Sequence, residues 1–146
     1  MAEDTTRAPA RRNLDRSLGD GGMPLLAQLG VDFERYGEGW VEAIWTPTEL
    51  AGNPFGIVHG GVYGVIHDAA MNFAANSALA SGDRVATLDV SYQTRRAPKV
   101  GDSLAVRGEV TQLTRQVAYT EATVTDGEGA VVSRAMATFI VRRKSP

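Results

Sequence analysis

Residues 60–80 hold the one long run with helical spacing. Val62, Val65, Ile66, Ala69, Ala70 and Phe73 recur at the intervals of a single apolar face. As a helix the run spans about 30 Å, enough to cross a small domain, and Gly82-Asp83 ends it. Most of the remaining chain alternates with a period of two. Within 86–93, Leu88, Val90 and Tyr92 alternate with Thr87, Asp89, Ser91 and Gln93. Within 103–112, Leu104, Val106 and Val110 alternate with Arg107, Glu109 and Thr111. Segments 116–125 and 130–141 follow, joined by the turn signal Asp126-Gly127-Glu128-Gly129. The last of these is apolar on both faces, as a central strand would be. Ahead of the helix, 31–36 and 40–46 read as a hairpin around Gly37-Glu38-Gly39, and residues 23–29 as a short helix stopped by Gly30. Residues 47–58 are loop, punctuated by Pro47, Gly52, Pro54 and Gly56. The predicted fold class is α+β, with an antiparallel sheet of five to six strands wrapped around one long helix.

The long helix has a second stripe. Gly61, Gly64, Asp68, Asn72 and Ala75 share one face, small at the start and polar in the middle. A solvent face normally carries Lys, Glu and Arg, and none occurs between Gly60 and Ala80. Two glycines also cost a helix about 1 kcal/mol each relative to alanine. Close approach of a ligand or another backbone justifies that cost. The helix begins at His59-Gly60-Gly61, where unpaired backbone N–H groups point outward. A lone acid among apolar neighbours must be paired, hydrated or used. Backbone donors beside an isolated carboxylate are what acyl hydrolysis requires. His59 reads as a brace for the loop, His67 as a packing or surface residue, and Asn53 as a turn residue before Pro54 or a side chain of the site.

A length of 146 residues fits one domain with one core. Residues 1–20 carry Arg7, Arg11, Arg12 and Arg16 without an apolar stretch, so they read as a disordered tail rather than a secretory signal, and 21–146 as the domain. The formal net charge of −2 gives no electrostatic case for nucleic acid or an anionic membrane. No cysteine is present, which excludes disulfides, thiolate catalysis and zinc–thiolate sites. With only two histidines, no metal site is expected, and no cofactor. No apolar run is long enough to span a bilayer, and a cytoplasmic location is expected.

The pattern Asn53-x5-His59-Gly60-Gly61-x6-Asp68 resembles the signature of the hotdog-fold acyl-CoA thioesterases. The nearest branch holds the phenylacetate-degradation thioesterases and one type of 4-hydroxybenzoyl-CoA thioesterase. The resemblance covers about residues 25–141. It implies the sheet-around-helix fold and hydrolysis of an acyl-CoA, aromatic acyl groups included. It assigns Asp68 as general base or nucleophile and the Gly60 N–H as the group that polarises the thioester carbonyl. Asn53 orients water or the thioester, and His59 braces the loop. Thr87 helps place water, and Asn72 is a polar neighbour of the acid. Gly61 belongs to the substrate-binding turn. Phe55, Tyr63 and Phe73 are candidates to line an acyl pocket, with core packing the default for Phe73. Arg95 and Arg96, with Lys99, are candidates for the CoA phosphates, as are Arg142, Arg143 and Lys144.

Gly60 and Asp68 lie eight residues apart, so about 12 Å of helix separates their backbones. A short aspartate cannot close that gap onto one carbonyl carbon. The simplest arrangement places the two groups on different chains, with helices antiparallel and Gly61 and Gly64 allowing close approach. An obligate homodimer with two equivalent sites is expected, and the resemblance admits a homotetramer built as a dimer of dimers. Two other readings compete. One is a dehydratase or hydratase of acyl thioesters using His59 as base. The other is a non-catalytic acyl-CoA-binding module.

Overall fold

The computed structural model describes residues 23–144, and the tail reading of residues 1–20 lies outside them. A short helix, α1 (Pro24–Leu29), leads into the hairpin β1 (Val31–Gly37) and β2 (Trp40–Trp45). A single 3-10 turn (Glu49–Ala51) interrupts the loop that follows. Then come the long helix α2 (Val62–Ser77) and four strands: β3 (Arg84–Thr94), β4 (Leu104–Leu113), β5 (Val117–Thr125) and β6 (Val131–Arg142). The strands form one six-stranded sheet in the order β1-β2-β4-β5-β6-β3. Every neighbouring pair is antiparallel. β6 is an interior strand, but it is not buried on both faces. Val132, Ala135, Ala137, Phe139 and Val141 face the core, whereas Arg134 and Met136 are exposed on the outer face.

The helix packs on the sheet through a face turned from the predicted one, which it shares at Ile66, Ala70 and Phe73. Tyr63, Ile66, His67, Ala70, Met71 and Ala74 are fully buried. Val62, Val65 and Ala69 are only half-buried, on the same side as Asp68 and Asn72. A residue in mid-strand decides this seating. A Cβ on Gly108 of β4 would lie 2.5 Å from the Ala70 carbonyl oxygen, so only glycine admits the helix backbone there. Aromatic edge-to-face pairs complete the core, Trp45 with Tyr63 at 5.3 Å and Phe33 with Phe73 at 4.8 Å between centroids. The Trp45 indole N–H donates to the Leu29 carbonyl at 2.9 Å and ties the end of α1 to β2.

One core group titrates on the acid side of neutrality. His67 has no exposed surface. Ser133 Oγ donates its single proton to the Gln93 carbonyl at 3.0 Å, so at 2.8 Å it accepts from His67 Nε2–H. His67 Nδ1 has no partner among the described residues. Burial holds the imidazole neutral and pulls its pKa from 6.5 down to about 4. The unfolded chain therefore binds this proton more readily than the folded one. Stability contributed by neutral His67 is present above pH 6.5 and drains away as pH falls toward 4, about 3 kcal/mol over the window. Chemical denaturation between pH 7 and 4 should show this slope, and His67→Leu should flatten it.

Candidate active site

The loop before α2 is held by its own polar groups. Asn53 Oδ1 accepts the N–H groups of Phe55 at 2.9 Å and Ile57 at 3.2 Å. The Asn53 amide oxygen thus serves the turn. The His59 N–H donates to the Ala51 carbonyl at 2.8 Å, and the His59 carbonyl accepts from Val62 N–H at 3.0 Å. His59 Nδ1 accepts from Gly61 N–H at 2.9 Å, which ties the ring to the turn. Gly60 N–H makes no hydrogen bond among the described residues. A Cβ on Gly60 would meet nothing within 4 Å, so open space lies over this residue. At the head of a helix such an amide is an electrostatic donor for developing negative charge.

Asp68 is half-buried two turns along α2. Its Oδ1 accepts from Thr87 Oγ1 at 3.0 Å. Burial raises the carboxyl pKa above its ordinary 3.8, and the Thr87 hydrogen bond offsets part of the rise. The group is therefore a stronger base than a solvated aspartate. It opens onto a cavity of about 430 Å³ between α1 and α2. Met23, Leu25, Leu26, Val65, Ala69 and Phe73 form the apolar walls, and Asn72 is the other polar residue beside Asp68. Asn72 Oδ1 accepts from Asn76 Nδ2 at 2.7 Å, which orients its amide.

Thr87 reaches Asp68 because of an irregularity in β3. Thr87 pairs with Phe139 and Asp89 with Thr138, leaving Leu88 extra. Simple alternation puts Thr87 on the opposite face from Val90 and Tyr92. The bulge shifts the phase by one residue, so Thr87 and Tyr92 both point at α2. Leu88, assigned to the inner row by alternation, is 61% exposed instead.

The other predicted residues divide. The turn bearing Arg95, Arg96 and Lys99 is exposed and abuts the segment leading to Gly60, where Val58 N–H donates to the Pro98 carbonyl at 2.9 Å and Ile57 bridges Lys99. Phe55 stands 85% exposed in the loop. Tyr63 does not line the cavity beside Asp68; it is buried against Trp45, and burial pushes its phenol up to about 12. Arg142, Arg143 and Lys144 lie beyond the far end of α2. Arg143 is not simply solvated charge, since its Nη1 pairs with Asp83 at 3.2 Å, and the Lys144 backbone N–H donates to the same carboxylate at 2.7 Å. These contacts, led by the Lys144 N–H, hold the Asp83 carboxyl below its ordinary value. Gly61 and Gly64 each have a neighbour within the chain. A Cβ would meet the His59 ring at 3.2 Å or the Tyr92 ring at 3.2 Å. Sequence reasoning missed Tyr92 and the cavity walls Met23, Leu25 and Leu26. Their proximity to the helix depends on contacts distant along the chain. No group of three metal-ligating side chains occurs among the described residues.

Residues 55–133, just over half of the chain, match the family model of the thioesterase superfamily. The chain belongs to the thioesterase superfamily. Its curated relatives include a putative esterase of Haemophilus influenzae, 29% identical over 76 residues, or 52% of this chain. The chain spans about half the length of that relative, 55%. Among solved structures, the PaaI protein from the phenylacetic acid degradation operon of E. coli has a TM-score of 0.81 at 20% identity, covering 93% of this chain and 94% of the other. The smu.793 protein of Streptococcus mutans, solved bound to acetyl CoA, has a TM-score of 0.72 at 25% identity, covering 79% of this chain and 92% of the other. The six-stranded sheet around one main helix is the hotdog fold of this superfamily.

Proposed function

We propose that this protein is an acyl-CoA thioesterase whose two sites each combine the Gly60 N–H of one protomer with Asp68 of its partner. One observation carries the reading: a half-buried carboxylate of raised basicity opens onto an apolar cavity, on a helix preceded by the unbonded Gly60 amide. Superfamily membership supports the reaction class, and the acetyl-CoA-bound streptococcal structure supports the ligand class.

In this mechanism the thioester carbonyl oxygen accepts the Gly60 N–H. As a base, Asp68 takes a proton from water, and the hydroxide adds to the carbonyl carbon. The carbon–sulfur bond then breaks, and the CoA thiolate takes up that proton. As a nucleophile, Asp68 itself attacks and forms an anhydride that water opens. Either route releases free acid and CoA. Thr87 and Asn72 orient the carboxylate and its water, and Asn53 supports the loop that presents the amide. Arg95, Arg96 and Lys99 stand where phosphates can reach them.

The apolar cavity, with Phe73 in its wall and Phe33 edge-on behind, suits an aromatic or short aliphatic acyl group. About 12 Å of helix between Gly60 and Asp68 supports a shared site. So does the open outer edge of β3, eleven residues long, which ends the sheet beside Thr87. A homodimer follows, with assembly into a dimer of dimers compatible with it. No described helix is long and apolar enough to cross a membrane, in keeping with a cytoplasmic enzyme. A hydratase needs His59 as a free base, but its Nδ1 already holds Gly61 N–H.

Thiol release from a panel of aromatic and aliphatic acyl-CoAs tests the reading. Release of CoA from at least one is expected. Tight binding with no release from any acyl-CoA means a binding module. Product from an enoyl or 3-hydroxyacyl thioester without free thiol means a hydratase or dehydratase.

A further inference from the structure

We infer that Tyr92 is a positioning residue that aims the Gly60 amide. This rests on the reading of that amide as the carbonyl-polarising donor. Two peptide groups flank the Gly60 Cα, and together they hold four polar atoms. The His59 carbonyl accepts from Val62 N–H at 3.0 Å. The Gly61 N–H donates to His59 Nδ1 at 2.9 Å. The Gly60 carbonyl accepts from the Tyr92 hydroxyl at 3.0 Å. The fourth atom group is the Gly60 N–H, which alone makes no hydrogen bond among the described residues.

The peptide between Gly60 and Gly61 is therefore clamped at both ends, by His59 from the loop and by Tyr92 from β3. Glycine has the widest choice of backbone torsions, so its peptide planes swing unless something outside holds them. Rate enhancement from a backbone donor depends on its being fixed before charge develops. Tyr92 supplies that constraint from 32 residues away.

Gly64 clears the way for it. A Cβ at Gly64 would stand 3.2 Å from Tyr92 Cε1 and 3.6 Å from the hydroxyl oxygen. Alanine there crowds the ring by a few tenths of an ångström and loosens the hydroxyl's hold on the Gly60 carbonyl. On the other side the ring lies 5.8 Å from the His67 imidazole between centroids, and Ser133 anchors that imidazole. The ring is half-buried and seated between these neighbours. The helical glycine, costly in the sequence, becomes part of the same device.

The test uses Tyr92→Phe, Gly64→Ala and the double variant in the full chain, with the best acyl-CoA of the wild-type panel. Tyr92→Phe should lower kcat about tenfold with KM within twofold of the parent, since one hydrogen bond is lost and substrate contacts stay. Gly64→Ala should lower kcat similarly. The double variant should lose little more than either single one, because both act on one hydrogen bond. Amide hydrogen exchange at Gly61, whose N–H is held by His59, should quicken in Tyr92→Phe when read by NMR. Unchanged kcat in an active wild-type background, or a lowered kcat with unchanged exchange at Gly61, overturns the inference. If the wild type releases no thiol, the proposed function fails, and the exchange data still decide the clamp: quickened exchange upholds it and unchanged exchange removes it.

Discussion

Asp68→Asn is expected to lower thioester turnover by about 10²–10⁴-fold while raising the melting temperature by a few degrees. The two effects share one cause. The folded protein holds the Asp68 proton more tightly than the unfolded chain, because burial raises the carboxyl pKa. Stability from that site is complete below the ordinary carboxylate value and is lost as pH climbs through the raised one. At neutral pH the ionised side chain is a liability that the amide removes. Asn retains an acceptor for Thr87 but neither takes a proton nor attacks a carbonyl. In the parent enzyme, the acid limb of the kcat profile should lie above pH 3.8, since Asp68 must be ionised to act. Melting curves and pH–rate profiles on both proteins check this. Undiminished turnover in Asp68→Asn removes the residue from the mechanism.

Mixing two inactive variants is expected to restore about a quarter of parental activity. Gly60→Pro deletes the donor and should cost about 10²–10³-fold. Asp68→Ala deletes the acid. If each site draws its amide from one protomer and its acid from the other, a heterodimer of these variants holds one dead site and one intact site. Random pairing makes half of all dimers mixed, hence about one quarter of the activity. Sites contained within single chains cannot recover at all. Co-expression of the two variants gives this random mixture, and thiol release measures it; sequential affinity purification on two tags isolates the heterodimer, which should hold about half of the parental activity. Recovery also shows that both variants fold.

Element order was readable because its signals are local. Periods of 3.6 and 2 and the glycine and proline punctuation place all six strands and both helices within a few residues of their observed bounds. The seating of α2 was only half readable. Apolar residues run most of the way round it, and the stripe given by spacing joins the buried Ile66, Ala70 and Phe73 to the half-buried Val62, Val65 and Ala69 while leaving out Tyr63 and Met71. The gap at Gly108, some forty residues downstream, settles which stripe goes in. His59, Gly60 and Asp68 stood out because an unbranched turn and an isolated acid are unusual in an apolar helix. Tyr92 looked like any strand aromatic until the Gly60 carbonyl was placed beside its hydroxyl.

The extra residue at Leu88 works like a comma in a strand that otherwise reads in twos. It lets a hydroxyl five positions before Tyr92 look the same way as that tyrosine. Deleting Leu88 would leave composition nearly untouched, yet it would turn Thr87 outward or Tyr92 away, since both cannot stay. Any engineering of this strand must therefore keep four residues between the two, one more than plain alternation allows, whatever letters fill them.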